Sequence, residues 1–286
     1  MISAKGGIQR VAIVGAGVMG TGIAELIAGC GLEVLLVARD RERALRARER
    51  IEAHVQRRAG RGALTAGERD ALLARITASS DGAAAVRDAD LVIEAVPEVV
   101  EVKRRVFEAL DRALAPGAVL ATTTSTIPIS LLASATARPE RVLGMHFFNP
   151  APVVEGVEVV RGEATSDETL ALGMAFARRL GRTPVVARDR TGFITSRLIH
   201  PYLNEAAHAV MDGNAPADVD AAMVHCLRMP MGPCALMDLI GIDVVLACLQ
   251  SLRREYGERY APAPVLEYMV DAGHLGRKSG RGFHVY

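Results

Sequence analysis

His146 lies in the segment GMHFFNPAP at 144–152, and an acid, Glu158, follows it by twelve positions. Histidine can take and return a proton near neutrality because its unperturbed pKa is about 6.5. A carboxylate on one ring nitrogen fixes the tautomer and makes the other nitrogen a better base. The pair therefore suits general acid–base chemistry, although a lone histidine in an apolar run is more often structural. A second candidate is GAGVMG at 15–20, directly after the apolar run at 11–14. Gly15 would make the tight turn, Gly17 would let the backbone approach a pyrophosphate, and Gly20 would let helix and strand pack closely. The helix opening at Val18 and Met19 would offer backbone N–H groups and a positive dipole to phosphates. Dinucleotide binding is the expectation; a tight strand–helix turn is the plain alternative.

In such a unit an acid closing the second strand holds the adenosine ribose hydroxyls. Here that strand reads VLLV at 34–37 and ends in Ala38, Arg39 and Asp40, with Arg41 and Arg43 close by. Ala38 stands where the acid is expected. Exchanging a carboxylate for a guanidinium suits a 2′-phosphate, so NADP is favoured over NAD. Two alternatives stay open: Asp40 reaches the ribose from a displaced strand end, or Arg39 points to water.

Apolar runs and helical periods alternate through the first part of the chain. Strands are expected at 11–14, 33–37, 91–95, 119–122, 142–148, 157–160 and 183–186. Helices are expected at 20–30, 41–59, 102–113 and 167–180, with another started by a Thr65–Glu68 capping box. This alternation predicts an α/β fold, a Rossmann-like doubly wound, mostly parallel sheet. The polar stretch RDRTG at 188–192 breaks the pattern, and only helical periods follow, at 193–211, 216–228, 233–254 and 264–272. The expected domains are thus residues 1–187, dinucleotide-binding, and 188–286, an all-α substrate and dimerisation domain.

The 286 residues carry a formal net charge of +1 and are half hydrophobic, which argues against a dedicated nucleic-acid binder or a strongly membrane-attracted protein. The four cysteines, Cys30, Cys226, Cys234 and Cys248, form no CxxC pair, and no Cys/His grouping has zinc-ligand spacing. No run of about 18 apolar residues offers a membrane span, and residues 1–10 lack the apolar core of a leader. A cytoplasmic protein without a metal is the expectation.

With these residues in place, the chain resembles the 3-hydroxyacyl-CoA dehydrogenase family, the short 3-hydroxybutyryl-CoA dehydrogenases in particular. The likeness runs through GAGVMGTGIA at 15–24, IEAVPEVVEVK at 93–103, TTTSTI at 122–127 and HFFNPAPVVEGVEVVRG at 146–162. It continues in GFITSRL at 192–198, GPCALMDLIG at 232–241 and LGRKSGRGFHVY at 275–286. It implies that His146 is the catalytic histidine, Glu158 its carboxylate partner, and Ser125 the serine that binds the substrate oxygen. Asn149 would stand beside the site, and Glu98 and Lys103 would line the cofactor and thioester cleft. The implied reaction exchanges a hydride between a nicotinamide and C3 of a 3-hydroxyacyl or 3-oxoacyl thioester. A homodimer through the C-terminal domain is also implied.

Read without the resemblance, Glu98 could only cap the following helix, Lys103 could be a surface lysine, and Glu158 an exposed strand residue. Three departures from the family pattern concern cofactor and substrate. Ala38-Arg39 replaces the acid. Ser196 replaces the asparagine of GFIxNRL, so a contact to the thioester must differ. Val154-Glu155-Gly156 replaces the usual Met and Leu near the histidine. These motivate an alternative substrate, a carrier-protein-bound or polyketide 3-oxo thioester. A non-catalytic, crystallin-like dinucleotide binder is the alternative from another class; a dehydrogenase of free 3-hydroxy acids is a third.

Overall fold

A computed structural model describes residues 7–286; the first six positions of the stretch read above for a leader lie outside the described residues. The chain forms two compact units, one ending at Asp189 and one spanning Arg190–Tyr286.

The first unit is a single eight-stranded sheet. Its strands are β1 (Arg10–Val14), β2 (Glu33–Val37), β3 (Ile76–Ser79), β4 (Leu91–Glu94), β5 (Val119–Thr122), β6 (Val142–Phe147), β7 (Gly156–Arg161) and β8 (Thr183–Arg188). They lie in the order β3-β2-β1-β4-β5-β6-β7-β8. All neighbours are parallel except β6 and β7, which are antiparallel. The helices of this unit are α1 (Val18–Gly29), α2 (Arg41–Gly60), α3 (Ala66–Ala74), α4 (Val100–Ala113), α5 (Ile129–Ala133) and α6 (Asp167–Arg179). Strands β4, β5 and β6 are buried at every position, as parallel strands covered on both faces require. Their apolar side chains join Ile23 and Ile27 of α1, Ile51 and Val55 of α2, and Phe176 of α6 in one core.

Local chemistry sets the helix starts. Asp40 caps α2 by accepting the Arg43 N–H at 2.8 Å. Thr65 and Glu68 form the expected reciprocal capping box on α3, and Ser166 caps α6. Strand β3 and helix α5 were not among the expected elements. Strand order reverses between β1 and β4, and in such sheets ligands bind outside the carboxyl ends of the strands at that reversal.

The second unit is helical: α7 (Thr195–Met211), α8 (Pro216–Ala221), α9 (Pro233–Ile240), α10 (Ile242–Tyr256) and α11 (Pro264–Asp271). The single helix expected at 233–254 is in fact two, meeting at 95°. Gly241, at φ 103°, makes the corner, a conformation open to glycine at little cost. The helix expected at 216–228 gives way after Ala221 to a π-helical turn, Ala222–Cys226. Leu203, Met237, Val245, Leu249 and Leu266 belong to a separate core. The C-terminal tail is tied to it by Asp238, only 1% exposed. That carboxylate accepts the N–H groups of Phe283 and His284, each at 2.9 Å, and the Tyr286 hydroxyl at 3.1 Å. No single helix among the described residues is long and apolar enough to cross a membrane.

Candidate active site

The spacing of His146 and Glu158 is explained by the β6–β7 hairpin. The antiparallel register makes the two residues direct cross-strand partners, so their side chains leave the same face of the sheet. His146 Nδ1 lies 2.7 Å from Glu158 Oε2, and both residues are buried, at 5% and 2% exposure. Glu158 is therefore no exposed strand residue. An ionised carboxylate only accepts, so Nδ1–H donates to it and the neutral ring presents Nε2 as a base. Ser125 Oγ lies 2.9 Å from Nε2. The Phe148 ring sits 4.5 Å from the imidazole, centroid to centroid, and closes one side of it.

Ser125 sits on the loop at 123–128 between β5 and α5. Glu98 holds that loop rather than capping α4, whose N-cap, Val99, makes no side-chain bond. Glu98 Oε1 accepts from Thr124 Oγ1 at 2.5 Å, Ser125 N at 3.0 Å and Thr126 N at 3.2 Å. Burial alone would raise the Glu98 carboxyl, but the Lys103 charge and these hydrogen bonds outweigh it and hold the group below its usual range. Lys103 is no surface lysine: it is 1% exposed. Its Nζ donates to Glu94 at 2.7 and 2.9 Å and to the Val96 carbonyl at 3.3 Å, and it lies 3.3 Å from Glu98 Oε2. Glu94 also accepts from Thr122 Oγ1 and Val96 N. Its burial pushes the carboxyl up, against the opposing pull of Lys103 and these donors. Removing one partner of such a dry pair typically costs about 3–5 kcal/mol. Glu94 was missed by sequence reasoning; the signal was there, a carboxylate ending the otherwise apolar run LVIE, nine residues before a lysine.

The glycine loop fits a pyrophosphate. A Cβ on Gly15 would lie 2.3 Å from the Ala95 carbonyl oxygen, and one on Gly20 would lie 1.8 Å from the Gly15 carbonyl oxygen. Both glycines are thus needed by the fold itself. A Cβ on Gly17 would meet nothing within 4 Å, so only a ligand would require that position bare. Gly17 and Val18 are exposed, Met19 is half-buried, and no side chain caps the first turn of α1. At the end of β2, Ala38 is buried and its side chain offers no hydrogen-bonding group. Asp40 is committed to its cap: the Arg43 backbone N–H, then the Arg43 and Arg39 charges, hold its carboxyl below the usual value. The Arg39 side chain is 79% exposed, with its Nε 3.8 Å from Asp40.

Beside the glycine loop is a cleft of about 220 Å³ lined by Thr21, Glu25, Arg50, His54, Arg57 and Asn149, among others. Asn149 is exposed there, joined to Pro150 by a cis peptide bond, and outside the hydrogen-bonded chain of Glu158, His146 and Ser125. His54 is held by the buried Glu25 carboxylate at 2.5 Å, a pairing that sequence reasoning did not find. Val154 and Glu155 lie in the connection that leads into β7 at Gly156. Ser196 belongs to the second unit, where it is buried in the first turn of α7 and its carbonyl accepts from His200 Nδ1 at 2.8 Å.

Comparison with known proteins agrees along the whole chain. Residues 10–190 match the family described as 3-hydroxyacyl-CoA dehydrogenase, NAD binding domain, and residues 192–286 match the 3-hydroxyacyl-CoA dehydrogenase C-terminal domain. The chain is 44% identical over 283 residues to a 3-hydroxybutyryl-CoA dehydrogenase of Mycobacterium tuberculosis, covering 98% of this chain and 99% of that protein. The crystal structure of M. tuberculosis FadB2 superposes with a TM-score of 0.96 at 44% identity, over 98% of this chain and 100% of that one. The (S)-3-hydroxybutyryl-CoA dehydrogenase of Ralstonia eutropha gives a TM-score of 0.90 at 37% identity, over 98% and 99% of the two chains.

Proposed function

Because the chain belongs to the 3-hydroxyacyl-CoA dehydrogenase family, we propose that it interconverts a 3-hydroxyacyl and a 3-oxoacyl thioester of the 3-hydroxybutyryl-CoA type, with His146 as the acid–base residue. The observation that carries this reading is the hydrogen-bonded chain Glu158–His146–Ser125, its first two members buried, with one ring nitrogen on a carboxylate and the other beside a hydroxyl. A dinucleotide held at the glycine loop would supply the hydride acceptor for C3 of the alcohol and, in reverse, the hydride donor for the ketone. His146 Nε2 takes the hydroxyl proton on oxidation and gives it back on reduction. Glu158 keeps the accepting nitrogen in the right tautomer and stabilises the imidazolium that forms. Ser125 Oγ, at the same nitrogen, orients the substrate oxygen toward it. Arg50, His54 and Arg57 in the neighbouring cleft suit the phosphates of coenzyme A.

The loop residues Gly15, Gly17, Val18, Met19 and Gly20 would hold the dinucleotide. Of the two coenzymes we favour NADP: Ala38 supplies no ribose acceptor, Asp40 is occupied as a helix cap, and the exposed Arg39 guanidinium can pair with a 2′-phosphate. A homodimer is supported by exposed apolar side chains of the second unit, including Leu198, Leu227 and Tyr268; sedimentation at a monomer mass would overturn it. Free rather than disulfide-bonded cysteines fit a cytoplasmic location, which a fluorescent fusion would check.

The test is one kinetic panel, NADH against NADPH with acetoacetyl-CoA, on the parent enzyme and on His146→Ala and Arg39→Ala. His146→Ala should lower kcat by roughly 10²–10⁴-fold with dinucleotide affinity retained. Arg39→Ala should weaken NADPH and leave NADH alone; unchanged NADPH affinity would end the coenzyme assignment. Slow turnover of acetoacetyl-CoA beside fast turnover of a carrier-bound analogue would move the substrate to the alternative class.

A further inference from the structure

We infer that Glu25 is a positioning residue for the phosphate end of the thioester: it sets the His54 imidazole, and with it one face of α2, at the cleft beside the glycine loop. The inference rests on the reading of that cleft given above and goes on to say what builds it. Arg50, His54 and Arg57 are spaced i, i+4 and i+7 along α2 and so share one helical face, and all three line the cleft. Arg43, Arg46, Arg48 and Arg58 of the same helix each pair with an acid. Among the described residues, Arg50 and Arg57 join no such ion pair, and both are exposed. Two uncommitted guanidinium groups on one face suit an anionic ligand.

Glu25 faces them from α1. It is 3% exposed, on a helix whose buried positions include Ile23, Ala24, Leu26 and Ile27. A carboxylate so placed is costly without partners, and both of its oxygens are engaged. Oε2 lies 2.5 Å from His54 Nδ1, and Oε1 accepts from Arg58 Nη1 at 2.7 Å. These two partners stand four residues apart, one turn of α2, so a single side chain of α1 clamps the middle of the cationic face. Its negative charge is taken up by Arg58 rather than turned toward a ligand. Because an ionised carboxylate only accepts, His54 Nδ1 carries a proton, and Nε2 is the nitrogen of this half-buried ring left for the cleft. A phosphate there draws a proton onto Nε2, and the Glu25 carboxylate at Nδ1 balances the imidazolium charge. Without that anchor the ring could turn either nitrogen toward the cleft, and no donor would be fixed beside Arg50 and Arg57.

The test measures kcat and KM with acetoacetyl-CoA, and the dinucleotide Kd by fluorescence titration, on the parent, Glu25→Gln, His54→Ala and the double variant. Glu25→Gln keeps the shape and removes the charge. It should raise the thioester KM about tenfold, the scale of one misplaced charge-assisted hydrogen bond. The kcat and the dinucleotide Kd should stay within about twofold of the parent, the pattern of a lost binding contact rather than a lost transition-state contact. On the His54→Ala background the same substitution should add less than about twofold, because the positioned ring is already gone. A loss spread over kcat, KM and dinucleotide affinity would make Glu25 a structural tie between α1 and α2 and overturn the inference, as would independent effects in the double variant. Arg50→Ala combined with Arg57→Ala separates the two readings. If that pair leaves the thioester KM unchanged, the phosphates lie elsewhere, and the cleft assignment and this inference fall together. If it raises KM while Glu25→Gln does not, the inference falls alone. Should Glu25→Gln fail to fold, the ring-nitrogen resonances of His54 in the parent decide, assigned by their loss in His54→Ala. A neutral ring protonated at Nδ1 is expected; one protonated at Nε2 overturns the inference.

Discussion

Glu158 is the residue at which the proposed chemistry is most sharply exposed to test. Its carboxylate can only accept, and that alone places the proton of a neutral His146 on Nδ1 and leaves Nε2 bare. A glutamine of the same shape can present its amide N–H to Nδ1 instead. The imidazole proton would then move to Nε2, the nitrogen beside Ser125, where it blocks acceptance of the substrate proton. Glu158→Gln should therefore fold and bind dinucleotide, yet lose roughly 10²–10⁴-fold in kcat, with KM for the thioester little changed. A rate within a few-fold of the parent would mean that Glu158 serves the β6–β7 pairing alone. The same residue shows how far spacing can be read in a sequence. Twelve positions between a histidine and an acid admit a hairpin in which the two face each other, and the register supplies that pairing. The Lys103–Glu94–Glu98 network was not legible, because a lysine on an amphipathic helix reads as a solvated face; here its ammonium is held by Glu94 at the end of β4, the Val96 carbonyl and Glu98.

At the scale of elements, the strand–glycine–helix junction separates what the fold needs from what a ligand needs. Gly15 and Gly20 are fixed by contacts within the chain, at 2.3 and 1.8 Å for an added Cβ, whereas Gly17 has open space around it. Gly20→Ala should therefore cost stability, by more than about 3 kcal/mol, as expected for overpacking against backbone rather than a flexible side chain. Gly17→Ala should leave the melting temperature nearly unchanged and weaken the dinucleotide at least about tenfold, because a methyl group would stand where the pyrophosphate approaches. Equal destabilisation by both substitutions would remove Gly17 from the binding site. Elements with strong periodicity were legible in the sequence: the capping box at Thr65 and the buried runs of β1, β4, β5 and β6 were read directly. Strand β3 was not. Ile76–Ser79 has one apolar residue followed by threonine, alanine and serine, and it gains its strand form only by pairing with β2 at the sheet edge. Likewise the period of 233–254 continues unbroken across Gly241, and only the positive φ there turns one helix into two.

At the scale of the whole molecule, the two units have separate cores, so an energetic change in one should be visible there first. The proposed dinucleotide residues all lie in the unit ending at Asp189. A ligand at about 100 times its Kd stabilises the state that binds it by roughly 2.7 kcal/mol. Hydrogen exchange should then slow in β1, α1 and β4, around the strand-order reversal. The second unit has its own weak point in Asp238, whose buried carboxylate gathers three donors from the last four residues. Asp238→Asn replaces one accepting oxygen by an N–H group that faces those donors. At about 1.5–3 kcal/mol for a hydrogen bond to a charged group, it should loosen residues 275–286 and the turn joining α9 to α10. Exchange mass spectrometry resolves the two effects peptide by peptide. The expected pattern is protection by dinucleotide in the sheet of the first unit and, in the variant, faster exchange confined to α9 and the tail. Dinucleotide protection that appeared only in α7–α11 would contradict the placement of the binding loop. A tail that exchanged no faster in Asp238→Asn would show that Asp238 is not what holds the C-terminus in place.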